Sequence, residues 1–257
     1  MQVMAGITVL FLLAPLVVVI GGSFTTTDYV TFPPHGFTLR WYAALAAKGD
    51  FIRSFADSLL LAAACAMVAT PLGTLAALAL HRDAGRGREW LRNFLLAPLL
   101  LPTIVTAVAL LQFYQRAGFD QIFLGLLIGH VLVTTPYVVR SVGAGLAGMD
   151  PAIVEAAQSL GAAEGRILLR VLLPGLVPAL LASVIFVFIM SFDETTLSLF
   201  LSGPDMMPLP VRIYNYIEFA IDPMVASVST VLILFAYLLV ILLEKLVGLD
   251  RAFGGGV

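Results

Sequence analysis

Charge is what this chain lacks most. Only 12% of its 257 residues are Asp, Glu, Lys or Arg, against roughly 25% in an ordinary soluble domain. With 60% hydrophobic residues and a mean hydropathy of +1.02, too little polar surface exists to clothe a water-soluble globule. A bilayer is the solvent that suits such a composition. Lysine is scarcer still, with Lys48 and Lys245 alone. No GxxxxGK[ST] phosphate loop is therefore present, and any energy from ATP must arrive through another polypeptide. A net charge of −2 and a pI near 5.9 give no reason to expect nucleic-acid binding. The single cysteine, Cys65, stands in an apolar run and cannot form an internal disulfide, which leaves a buried packing thiol. The histidines are too sparse to pair at metal-ligand spacing, and no nucleophile and base, zinc motif or dinucleotide fingerprint occurs. Neither catalysis nor a bound metal or cofactor is expected of this chain.

What the chain has in abundance is apolar length. A spanning helix needs about 20 largely apolar residues. Six stretches meet this, approximately 4–24, 58–80, 94–115, 120–140, 175–200 and 224–243, forming one all-helical transmembrane domain over 1–257. Basic residues near the ends set the sidedness. Arg82, Arg86, Arg88, Arg92, Arg140, Arg166, Arg170, Lys245 and Arg251 fall on one side; Arg40, Lys48, Arg53, Arg116 and Arg212 fall on the other. The richer side is read as cytoplasmic, which places both termini inside. The first run has no basic start and is too long for a cleaved signal peptide, so it reads as a retained span. Thr25 to Asp57 reads as an external segment with interfacial Trp41 and Tyr42, and the Gly-rich end of the chain as a frayed tail.

Between the fourth and fifth spans lies Glu155 to Pro174, EAAQSLGAAEGRILLRVLLP. Asp150 then Pro151 is a helix-start signal, and Gly161 supplies the positive φ that ends a helix near Leu160. A second helix carrying Glu164, Arg166 and Arg170 follows. Ile153, Ala157 and Leu160 share one face of the first by three-and-four-residue spacing, a surface suited to a groove. Glu155, Ala156, Ala157 and Gly161, then Val171, Leu173 and Pro174, resemble the EAA loop of binding-protein-dependent ABC importer permeases, with Val171 where isoleucine is usual. The resemblance implies a type I ABC importer permease fold in the bacterial inner membrane, with residues 150–174 as a cytoplasmic coupling hairpin. Glu155, Ala156, Ala157, Ser159, Leu160, Gly161 and Arg166 would meet the ATPase. It also implies the partners: a second permease chain, two copies of a cytoplasmic ATPase that hold ATP and Mg, and a periplasmic or lipid-anchored binding protein.

The fifth span carries the second candidate site. Eighteen residues from Gly175 to Phe192 have no ionisable group, and Asp193 and Glu194 then arrive together before apolar sequence resumes. Adjacent carboxylates are not desolvated without partners. A cationic solute would serve, and so would Arg212 or nearby hydroxyls. Ser191 to Glu194 resembles the fifth-helix region of spermidine/putrescine-type permeases, which points to polyamine import. Import of an amino acid-like compound, an opine, a metal chelate or an anion stays open. His130, inside the fourth span, is an intramembrane polar group that either joins helices by a hydrogen bond or meets substrate. Two rival classes remain: a proton-coupled secondary transporter, which would show duplicated broken helices, and a non-transporting scaffold, which has no use for the acidic pair.

Overall fold

The structure is a computed structural model that describes residues 2–82, 85, 87–220 and 222–247. Arg86 and Arg251, used in the sidedness reading, and the Gly-rich tail lie outside the described residues. The described residues are mostly helical, apart chiefly from the segment 23–39 between the first two helices, with no strand and a single isolated bridge between Gly203 and Met206.

In chain order the α-helices are α1 (Gln2–Gly22), α2 (Arg40–Ala47), α3 (Gly49–Arg82), α4 (Gly87–Leu96), α5 (Thr103–Ala117), α6 (Ile122–Ala147), α7 (Pro151–Ser159), α8 (Glu164–Ile167), α9 (Leu173–Gly175), α10 (Val177–Asp193), α11 (Thr195–Leu201), α12 (Leu209–Phe219) and α13 (Pro223–Val247). A 3-10 turn, Ala97–Leu100, follows α4, and a π-turn, Leu168–Leu172, joins α8 to α9.

Four helices are long and apolar enough to cross a membrane by themselves: Met4–Gly22, Gly49–Arg82, Ile122–Ala147 and Pro223–Ile241. Counting each of two bent pairs as one crossing gives up to six by length and composition, Gly87–Leu100 with Thr103–Ala117 at 100° and Glu164–Gly175 with Val177–Asp193 at 66°. The all-α polytopic class is as expected, and the details differ where proline and capping intervene. The third expected span, 94–115, is broken at Pro102, whose ψ of 130° is extended. The fifth, expected over 175–200, stops at Asp193 because Glu194 is extended and caps a separate helix. By contrast Pro71 and Pro136 sit inside α3 and α6 without ending them. The external segment expected up to Asp57 is partly helical, since the alanine-rich run through Ala47 forms α2 and α3 already begins at Gly49.

Two compact units can be distinguished. One comprises Met1–Asp57 with Met207–Leu242, and the other is built on Ser58–Met206. In the first, Phe55 meets Phe235 edge-on at 5.4 Å, Trp41 Nε1 donates to the Thr25 carbonyl at 2.9 Å, and Arg212 Nε donates to Ser54 Oγ at 3.2 Å. In the second, α6 is the central element. Cys65, Ala69 and Ala77 of α3 pack with Val138, Val142 and Leu146 of α6 and with Leu176 and Val187. Around its other half, Leu61, Ala107, Leu126, Leu197 and Leu201 form a second cluster. Small residues permit the approach: a Cβ at Gly73 would fall 2.5 Å from Cβ of Val138, and one at Gly129 would fall 2.6 Å from Cδ2 of Leu197.

Candidate functional site: an exposed elbow and a buried polar node

Asp150 is extended, with φ −67° and ψ 119°, and its carboxylate accepts from Ala152 N at 2.9 Å, so α7 is capped as its sequence requires. Pro151 occupies the first helical position. At the other end Gly161 has φ +73°, its N–H donates to the Gln158 carbonyl at 2.9 Å, and Ala162 N–H donates to the Ala157 carbonyl at 3.0 Å. That pair of bonds is the Schellman arrangement, which satisfies two carbonyls the helix would leave open. Ser159 Oγ donates back to the Glu155 carbonyl at 2.9 Å. Nine-residue helices are marginal in water, and both ends of this one are fastened.

Yet α7 buries no side chain. Leu160 is 88% exposed and Ile153 51%, and Glu155, Ala156, Ser159, Gly161 and Arg166 are all exposed, whereas Ala157, expected on the same face as Ile153 and Leu160, is half-buried, as is Val154. Behind this face the elbow joins the helix bundle. Ile167 is 5% exposed, Leu176 is 1% exposed, and Glu164 forms an ion pair with Arg82 at the end of α3. The pair is one that sequence reasoning missed, because its members stand 82 positions apart.

The second constellation is buried. His130 is fully enclosed, with Nδ1 2.8 Å from Ser191 Oγ on α10 and Nε2 3.1 Å from Ser198 Oγ on α11. One turn on, Thr134 Oγ1 donates to the His130 carbonyl at 2.7 Å and lies 3.4 Å from Cys65 Sγ on α3. A neutral imidazole has one donor and one acceptor nitrogen, and a hydroxyl can complement either. Both nitrogens are thus satisfied without charge, and the ring ties three helices together. Of the two readings of His130, this geometry is that of the interhelical hydrogen bond. The serines were not singled out as its partners; their seven-residue spacing across the α10–α11 break was the available signal.

Asp193 and Glu194 are adjacent in sequence but opposite in situation. Glu194 accepts from Leu197 N through Oε1 at 3.0 Å, so its carboxylate sits at the N-terminus of α11, where the helix dipole favours it. Asp193 is the exposed last residue of α10, where that helix's own dipole opposes a negative charge. Local structure therefore accounts for the glutamate and leaves the aspartate unexplained.

The elbow and His130 with its two serines lie inside residues 69–248, which match the family model for the binding-protein-dependent transport system inner membrane component. The chain belongs to that family. The permease is 32% identical over 246 residues, 96% of this chain and 92% of the relative, to the spermidine/putrescine transport system permease protein PotC of Shigella flexneri. It is 29% identical over 230 residues, 87% and 82% of the two chains, to the putrescine transport system permease protein PotI of Escherichia coli K12. Among solved structures, a chain of the bacterial alginate ABC transporter in complex with alginate pentasaccharide-bound periplasmic protein superposes with a TM-score of 0.76. It covers 100% of this permease and 95% of that chain at 16% identity, a likeness of fold. A chain of the MetNI methionine ABC transporter gives 0.61 at 19% identity, with coverage of 77% and 94%.

Proposed function

We propose that this permease is the membrane subunit of an ATP-driven ABC importer for a polyamine such as spermidine or putrescine, worked from the cytoplasmic side through α7. The observation that carries the coupling is a helix fastened at both ends that has no fully buried side chain and leaves most of its surface exposed. Such a helix makes sense as an insert for a groove on another protein. A cytoplasmic ATPase, present twice and holding ATP and Mg, would supply that groove, contacting Glu155, Ala156, Ala157, Ser159, Leu160, Gly161 and Arg166. Movement imposed on α7 would pass through the Arg82–Glu164 pair to α3, and through Leu176 to α10 and α6. With its termini in the cytoplasm, the chain would form half of a pathway with a second permease, and a periplasmic or lipid-anchored binding protein would deliver solute.

Polyamine is supported by the named substrates of the relatives and by Asp193, an exposed acid at an unfavourable helix end. Glu194 and His130 would act on the pathway by holding α10 and α11 in place. The test is uptake of radiolabelled spermidine and putrescine into vesicles containing the permease and its co-purified subunits. Uptake should require ATP inside and a binding protein outside. Uptake that follows a proton gradient without ATP would overturn the coupling, and ATP-driven uptake of anions alone would overturn the substrate.

A further inference from the structure

We infer that α4 is an interfacial helix whose aromatic face, with the apolar cavity beside it, binds an anionic phospholipid. This goes beyond the transport reading and rests neither on the solute nor on the ATPase. Over Gly87–Leu96, GREWLRNFLL, Trp90, Leu91, Phe94 and Leu95 fall on one arc by helical spacing. Arg88 and Arg92 border that arc on one side, and Glu89 falls opposite it. No side chain of α4 is buried. Trp90 is 69% exposed and Phe94 63%, and their rings stack at 5.6 Å with 9° between planes, a preformed aromatic slab facing outward.

Direction decides where that slab lies. The Gly87–Leu100 segment turns by 100° from Thr103–Ala117. If α5 runs across the bilayer, α4 runs along its surface, the placement of a basic amphipathic helix with aromatics at headgroup depth. At this bend an apolar cavity of about 350 Å³ is lined by Phe94, Leu95, Pro98, Leu101, Leu132 and Pro136. Phe94 thus belongs both to the slab and to the cavity wall. The charge pattern selects the occupant, since guanidinium groups beside an apolar face complement a phosphate carried on acyl chains.

The permease has two tryptophans, Trp41 and Trp90, so Trp41→Phe leaves Trp90 as the reporter. The full-length chain would be placed in nanodiscs whose phospholipid carries bromine high on the acyl chain. Trp90 emission should fall at least twofold, and aqueous iodide should quench it little. Should Trp41→Phe fold poorly, the difference between wild-type and Trp90→Phe emission reads the same quantity. In parallel, Arg88→Gln and Arg92→Gln should each lower retention of phosphatidylglycerol by about fivefold in native mass spectrometry, with phosphatidylcholine unaffected. Iodide quenching without bromine quenching, or unchanged phosphatidylglycerol retention, would overturn the inference. So would shielding of Trp90 that appears only when a second protein chain is bound, which would assign the face to protein.

Discussion

Gly161 offers the sharpest perturbation of the elbow. Its φ of +73° lies in the left-handed region, and a Cβ built there meets nothing within 4 Å. Alanine would therefore cause no clash, and its whole cost would be backbone strain of about 1–2 kcal/mol. Because α7 buries no side chain, the strain should be relieved by local fraying, leaving global stability unchanged. The ratio of capped to frayed elbow should fall roughly 5- to 30-fold, and the apparent affinity of any partner that needs the intact elbow falls by up to the same factor. Gly161→Asn supplies the control, since asparagine tolerates the left-handed region and sometimes ends helices this way. Transport-coupled ATP hydrolysis in proteoliposomes should be strongly reduced at limiting ATPase subunit for alanine, largely retained for asparagine, and recovered for alanine at excess subunit. Equal activity of all three proteins, or equal loss in both variants, would refute the argument from geometry.

Other sites give independent tests. Gly73→Ala puts a Cβ 2.5 Å from that of Val138, where no flexible side-chain end can yield; it should cost about 1–3 kcal/mol in detergent unfolding, and unchanged stability would deny the close α3–α6 contact. Asp193→Asn should weaken polyamine uptake without lowering stability, whereas Glu194→Ala should cost about 1 kcal/mol through the lost helix cap; matching profiles for the two variants would erase the distinction drawn between them. Burial, then the hydrogen bond from Tyr216 to Asp222 at 2.6 Å and the charge on Asp222, push the Tyr216 phenol up to about 12. A group with a raised folded pKa contributes stability that is intact below its ordinary value, about 10, and is lost as pH climbs from there toward 12. Absorbance titration should find a late tyrosine that Asp222→Asn brings down.

Much of the fold was legible because apolar length and helix punctuation are local properties. Asp150, Pro151 and Gly161 specified α7 and its ends within a residue, since capping depends on near neighbours. What escaped was set by distant or competing contacts. Pro102 turned the chain where Pro71 and Pro136 did not, and nothing local to proline separates those outcomes. Glu194 was grouped with Asp193 because sequence shows adjacency, while the hydrogen bond to Leu197 N that divides their roles appears only in three dimensions. His130 was recognisable as a polar group in an apolar helix, but its serines came from two other helices.

The most direct measurement of the central claim is site-specific crosslinking at Leu160. The native Cys65 is fully buried, so Leu160→Cys introduces the reactive thiol at a position 88% exposed in the wild-type chain. During ATP turnover in inside-out vesicles, a short bifunctional maleimide–photoprobe reagent should join it to a co-purifying ATPase subunit. Labelling of that thiol by an impermeant reagent from the periplasmic side, or turnover with adducts to lipid alone, would contradict the account.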